Sequence, residues 1–262
     1  MRDVLDSYVV EQPVLERPPL KFVVCQVRFP QVLGLAGDDV RPIQRGIAGE
    51  FPNVEADEAE AMAPTVEGLT PTGKRRATYR FESPDELWAV VLTPTSLALE
   101  TYAYQGFRGF VERWRRVISI AAKELGIESQ ERLGLRYVNE LECPREPTPA
   151  DLRALVREEL VGIVGGHDPR TMRLVRSLQE ARFAQDDGVL AIRHGFVHWT
   201  EDESHGYALD FDYYSDEARP FELDAQLRQL AAFNHGIYEL FEWSIPPETF
   251  ESFEPREREE QG

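Results

Sequence analysis

The chain of 262 residues is 42% hydrophobic and 10% aromatic, enough to bury a sizeable core, which excludes a disordered or fibrous polymer. Its 47 acidic residues against 29 basic ones give a formal charge of −18. A field of that sign repels phosphate backbones, so nucleic acid is disfavoured as a partner, while cationic protein surfaces and metal ions are not.

Residues 1–19 read as a proline-containing arm, with acids at Asp3 and Asp6 where an export signal needs a basic start and an apolar run. No stretch approaches the roughly 18 to 20 apolar residues of a membrane span, so the reading is cytoplasmic with no membrane partner. Leu20–Phe29 is β-branched and aromatic and predicts a strand stopped by Pro30. A short helix is expected from Pro42 to about Phe51, and the acidic, proline-punctuated stretch Asn53–Thr72 reads as an exposed loop. Arg75–Glu82, Glu86–Thr93 and Ser96–Tyr104 are three strand candidates separated by turn residues, which imply an antiparallel meander. From Phe107, apolar residues recur at three- and four-residue steps up to Gly126, predicting a long helix with one buried face. Arg132–Leu141 alternates Leu133, Leu135 and Tyr137 on one side and reads as a further strand.

Pro144, Pro147 and Pro149 mark a linker over 143–149 between a first unit, 20–142, and a second, 150–245, with an acidic tail over 246–262. The second unit opens with a helix, Ala150 to about Leu160. Strand candidates Thr171–Phe183, Gly188–Trp199 and Gly206–Tyr214 follow, and then a helix over about Phe221–Trp243 whose apolar stripe is interrupted by Asn234. Both units therefore run three antiparallel strands and then an amphipathic helix. Leu97–Tyr104 and Tyr207–Tyr214 match at Ala98/Ala208, Leu99/Leu209, an acid at the next position and Tyr104/Tyr214. The predicted class is α+β: two related antiparallel meander-plus-helix units, βββα repeated, with an additional N-terminal strand.

The segments PLKFVVCQVRFP, RLGLRYVNEL and HGIYELFEWSI resemble signature segments of a sporadically distributed bacterial family of roughly this length, whose members have no established activity. The resemblance implies one architecture and a patchy distribution like that of mobile or accessory genes. It implies no site residues.

GxGxxG, GxxxxGK[ST], GxSxG and HExxH are all missing, so dinucleotide, P-loop, α/β-hydrolase and zincin chemistries lack their defining motifs. His167-Asp168 follows two glycines and precedes Pro169, which reads as turn chemistry. Cys25 and Cys143 have no CxxC neighbour and read as small buried hydrophobes. His194 and His198 share a strand face but sit about 13 Å apart along it, too far to share one metal ion unaided. Asp210 and Asp212 share a face of the next strand and would complete an acid-base or metal cluster if the register brought them to the histidines. Arg136 and Asn139, inside a strand, need carboxylate or backbone partners and are expected to pin the two units together. Tyr102, Tyr104, Trp199, Tyr213 and Tyr214 crowd strand ends and would form a recognition patch if exposed.

The reading of function that follows is a non-catalytic cytoplasmic protein-binding or assembly protein with a protein partner or a second copy of itself. It fits an accessory component of a mobile or defence-type bacterial system and implies no cofactor. One alternative is a metal-dependent or acid-base enzyme built on His194, His198, Asp210 and Asp212. The other is a small-ligand sensor with its pocket between the two units.

Overall fold

The alternation in Arg132–Glu142 decides the architecture, because every second side chain is buried while the intervening ones are half-exposed. Leu133, Leu135, Tyr137, Asn139 and Leu141 enter a core, and Arg132, Arg136, Val138 and Glu140 look the other way. A sheet with this pattern carries helices on one face and water on the other.

The computed structural model describes residues 12–32, 40–65, 68–168, 170–198 and 205–256, with the backbone alone for 58–76. The elements are β1 (Val14–Leu15), β2 (Leu20–Arg28), α1 (Arg41–Ile47), β3 (Asn53–Thr65), β4 (Gly68–Glu82), β5 (Trp88–Thr93), β6 (Ser96–Thr101) and α2 (Phe107–Leu125). They continue as β7 (Ser129–Gln130), β8 (Arg132–Glu142), α3 (Pro149–Leu155), α4 (Glu158–Val161), β9 (Gln179–Gln185), β10 (Gly188–His198) and β11 (His205–Ser215). The last are β12 (Arg219–Pro220), α5 (Leu223–Ser244), α6 (Pro247–Glu251) and β13 (Pro255–Arg256). The class is mixed α+β, built on a nine-stranded antiparallel sheet of order β3-β4-β5-β6-β2-β8-β11-β10-β9.

The two halves of the chain join edge to edge through β2 and β8, where Val23 lies opposite Tyr137 and Cys25 opposite Leu135. The long helices α2 and α5 meet on one face. The buried stripe of α2 comprises Phe107, Phe110, Val111, Trp114, Val117, Ile118 and Ala121. Gly126 ends the helix with φ 63°, a left-handed cap that a side chain would strain. Leu227, Leu230, Phe233, Ile237 and Phe241 of α5 join the same cluster.

Three local expectations are corrected. Asn53–Thr72 is not a loop: β3 pairs with β4 along their length, so the first meander has four strands. An edge strand needs only one paired side and tolerates acids and prolines that would be excluded from a central strand, which is why composition hid it. The Thr171–Phe183 strand shrinks to β9, although Ser177 still donates its backbone N–H to Phe196 O. The helix expected over Ala150–Leu160 divides into α3 and α4, the first opened by a capping box between Thr148 and Asp151. No helix among the described residues is long and apolar enough to cross a membrane.

Candidate functional site

A cavity of about 380 Å³ lies on the helix-covered side of the sheet, between the N-terminal arm, the start of α2 and the middle of α5. That volume is in the range of small-molecule sites. Pro18 and Pro19 hold the arm extended, and Pro19 O accepts the backbone N–H of Glu140, which lays the arm against β8. At its outer end β1 pairs with β13, and ion pairs Arg17–Glu254 (2.6 Å) and Arg256–Glu16 (3.3 Å) flank the pairing. Gly106, at φ 124°, turns the chain from Tyr104 into α2 along the cavity wall, a conformation that favours glycine.

The walls are largely apolar, with Leu15, Leu20, Phe107, Ile237 and Phe241 among them. Tyr104, Tyr137 and Asn139 supply polar groups to the cavity, and Gln12, Glu16, Gln105 and Arg108 are also among its lining residues. Tyr137 donates its phenolic proton to Asn234 Oδ1 (2.7 Å) and is 2.9 Å from the Tyr104 hydroxyl, so the proton of that second bond comes from Tyr104. Burial, and then the neighbouring Tyr104, push the Tyr137 phenol well above its ordinary range, so it stays neutral. Asn139, 4% exposed, donates one amide N–H to Leu209 O (3.2 Å). Among the described residues its amide oxygen has no hydrogen-bond donor, and the residue lines the cavity. These groups bind and orient through neutral hydrogen bonds.

Arg136 and Asn139 both reach across from β8 to β11. Arg136 grips Asp210 with two bonds of 2.7 Å, and Arg193 approaches the same carboxylate at 3.2 Å. Arg132 reaches Asp212 at 3.4 Å and Asp216 at 3.3 Å. The open face of the sheet is thus an ion-pair lattice, continued in the first half by Arg80 with Glu82 and Glu100.

The four residues of the metal or acid-base alternative do not form one site. In the register of β10 and β11, Leu209 stands opposite His194, while Asp210 stands opposite Arg193 and Asp212 opposite Ala191. His194 is therefore on the helix side, 2.8 Å from the Tyr207 hydroxyl, and the aspartates are on the open side. His198 stacks on His205 and reaches a groove of about 560 Å³ with Asp210, whose carboxylate is already held by two arginines. Among the described residues no three His, Cys, Asp or Glu side chains gather as a metal-binding set.

The aromatic candidates do not form one exposed patch either. Tyr102 is exposed beside Phe22, but Tyr213 is buried against Phe233 with its hydroxyl on Asp187. Tyr104 is half-buried in the cavity wall, and Tyr214 lies under the Arg132 guanidinium. Trp199 lies outside the described residues. The contributions of Asn234, Ile237 and the arm to a cavity were missed in the sequence. The available signal was Asn234, a polar residue interrupting an otherwise apolar helical stripe.

No protein-family model and no curated protein matches this chain. Among solved structures, the di-domain ARO/CYC StfQ from the steffimycin biosynthetic pathway aligns over 84% of this chain and 96% of its own, at 14% identity and a TM-score of 0.17. A likeness of that size carries no argument.

Proposed function

We propose that the protein is a non-catalytic binding protein that holds an uncharged, largely apolar small molecule in the cavity beneath the N-terminal arm. The observation that carries this reading is the composition of the site: a largely apolar chamber with the Asn139 amide, a neutral tyrosine relay and the buried Gln12 Nε2, unpartnered among the described residues, on its walls. A matching ligand presents a hydrogen-bond donor to the Asn139 amide oxygen and an acceptor to Gln12 Nε2, a buried donor that left unpaired costs about 1–3 kcal/mol. Its remaining surface is apolar. The arm, fastened by the β1–β13 pairing and two surface ion pairs, is the part that opens for entry.

The finer reading of the fold belongs with this proposal. Each half is a duplicated unit whose first strand, β2 or β8, returns to pair with its last meander strand, β6 or β11, which moves β8 from the first unit, where the sequence reading puts it, to the start of the second. In support, Leu99 and Leu209 both enter the core, while Glu100 and Asp210 are both held by arginines of the open face. The cavity then lies where the units meet, with Tyr104 and Phe107 from one and Ile237 and Phe241 from the other. A reducing cytoplasmic setting accords with Cys25 and Cys143 being free thiols, the second raised to about 11 by burial and then by Asp151.

Titration of the full chain with N-phenyl-1-naphthylamine, an uncharged aromatic with one N–H, tests the assignment by its fluorescence rise in an apolar site. Saturable binding is expected, about tenfold weaker for Asn139→Leu, which removes the acceptor. Loss is expected for Leu15→Trp, which fills the chamber from the arm. Absence of saturable binding, or equal binding by all three proteins, overturns the assignment.

A further inference from the structure

The nine-stranded sheet ends in two different edges. β3 presents Glu55, Asp57, Glu58 and Glu60 along one edge, and two such strands brought together would repel. β9 is the other edge, with sequence QEARFAQ, and its outward-facing backbone groups have no strand partner among the described residues. Its two charged residues are of opposite sign and share a face, Glu180 paired with Arg182 at 2.6 Å within the strand. Large apolar side chains lie exposed on and beside it: Phe183 at 48%, Leu178 at 54%, Met172 at 55% and Val175 at 67%.

We propose that β9 is a self-association edge, where a second copy of this chain adds its own β9 antiparallel about a two-fold axis at Ala181. The charge pattern selects this occupant. In that register Glu180 of each copy stands opposite Arg182 of the other, so both charges are matched twice by one operation. Phe183 of each copy stands opposite Gln179 and diagonal to Ala181 of the other, within reach of an aromatic side chain. Leu178 stands opposite Ala184. The edge backbone groups are covered together with Phe183 and Leu178, as a permanent partner strand requires. Matched charges at contact distance act inside a screening length of about 8 Å, so the chain's overall negative charge does not decide the outcome.

The full-length protein at high micromolar concentration is expected to show twice its 30.0 kDa chain mass by light scattering. Ala184→Pro, which removes an outward-facing edge donor and clashes with strand addition, is expected to return it to the single-chain mass. Glu180→Arg and Arg182→Glu act on exposed side chains and keep the test open where the proline variant fails to fold. Each alone places like charges opposite one another and is expected to be a monomer. Mixed together, they are expected to form a dimer of one chain of each, which native mass spectrometry distinguishes from either homodimer. A wild-type protein of single-chain mass, a folded Ala184→Pro variant that keeps the double mass, or two folded charge variants that stay apart on mixing overturns the proposal.

Discussion

Tyr137 on β8 and Asn234 on α5, 97 residues apart in the chain, are joined by a 2.7 Å hydrogen bond beside the cavity. Both are buried, so neither group can exchange the other for water. Tyr137→Phe removes the donor and leaves Asn234 Oδ1 unpaired, and it is expected to lower stability by about 1–3 kcal/mol. Adding Asn234→Leu removes the orphaned acceptor and is expected to recover part of that loss. Urea unfolding of the single and double variants measures both. Equal stability of Tyr137→Phe and wild type would show that this bond holds nothing.

Trp114 and Gln226 make the corresponding bond between the long helices. The indole N–H of Trp114 donates to Gln226 Oε1 at 2.9 Å, and Gln226 Nε2 donates to Gln130 Oε1 at 2.9 Å. Gln226→Leu keeps the volume but orphans one donor and one acceptor in the core, a loss of about 2–4 kcal/mol. Arg17→Ala breaks an ion pair whose arginine is 68% exposed and is expected to change stability by less than about 1 kcal/mol. The ratio of the two melting-temperature shifts is the measurement, and comparable shifts would contradict this ranking.

Features set by spacing within one element were legible in the sequence. The stripe of α2, its stop at Gly126 and the alternation of β8 follow from periods of 3.6 and 2. Features that depend on pairing between elements were not. That Asp210 and Asp212 share a face follows from their spacing, but whether His194 lies on that face depends on the register of β10 and β11, which puts it on the other. A slip of one residue would exchange the faces. The sequence left the partner of Arg136 open between the neighbouring Glu140 and an acid of the second half, and the pairing of β8 with β11 supplies Asp210. Tyr213 looked like a recognition residue because tyrosine serves equally well as a core aromatic with a polar tip, and only Phe233 and Asp187 decide between the two.

His194 gives a pH dependence of definite sign. Burial holds its pKa below the ordinary value. Tyr207 donates its hydroxyl proton to Leu160 O (3.0 Å), so its oxygen accepts the Nδ1–H of a neutral His194. The unfolded chain takes up a proton near pH 6.5 while the folded chain resists it. The contribution of this residue is therefore complete above that pH and is lost as pH falls below it. The urea midpoint is expected to fall between pH 7 and pH 5, and the fall is expected to flatten in His194→Gln. An unchanged slope in the variant would assign the loss to other groups.

Asp212 and Glu50 are carboxylates beside arginines whose pKa values move in opposite directions, and the difference lies in how far burial is offset. Burial raises Asp212, and Arg132, Arg136 and Arg193 only partly oppose it. Burial also pushes Glu50 up, but hydrogen bonds from Arg113 (2.7 Å) and Arg116 (3.0 Å) more than reverse it, so its carboxyl lies below the usual range. A raised carboxyl favours folding at low pH, and that contribution is lost as pH rises through its folded value. A lowered one favours folding above its unfolded value and loses that contribution as pH falls through the folded value. At pH 7, Asp212→Asn is accordingly expected to raise the melting temperature, since Arg132 keeps Asp216 as a partner, and Glu50→Gln is expected to lower it. Both differences are expected to shrink as the solution enters the carboxylate range near pH 4. Thermal melts of the two variants and wild type across that range separate the signs. A destabilised Asp212→Asn at neutral pH would mean that the arginines of the open face outweigh the burial of this side chain.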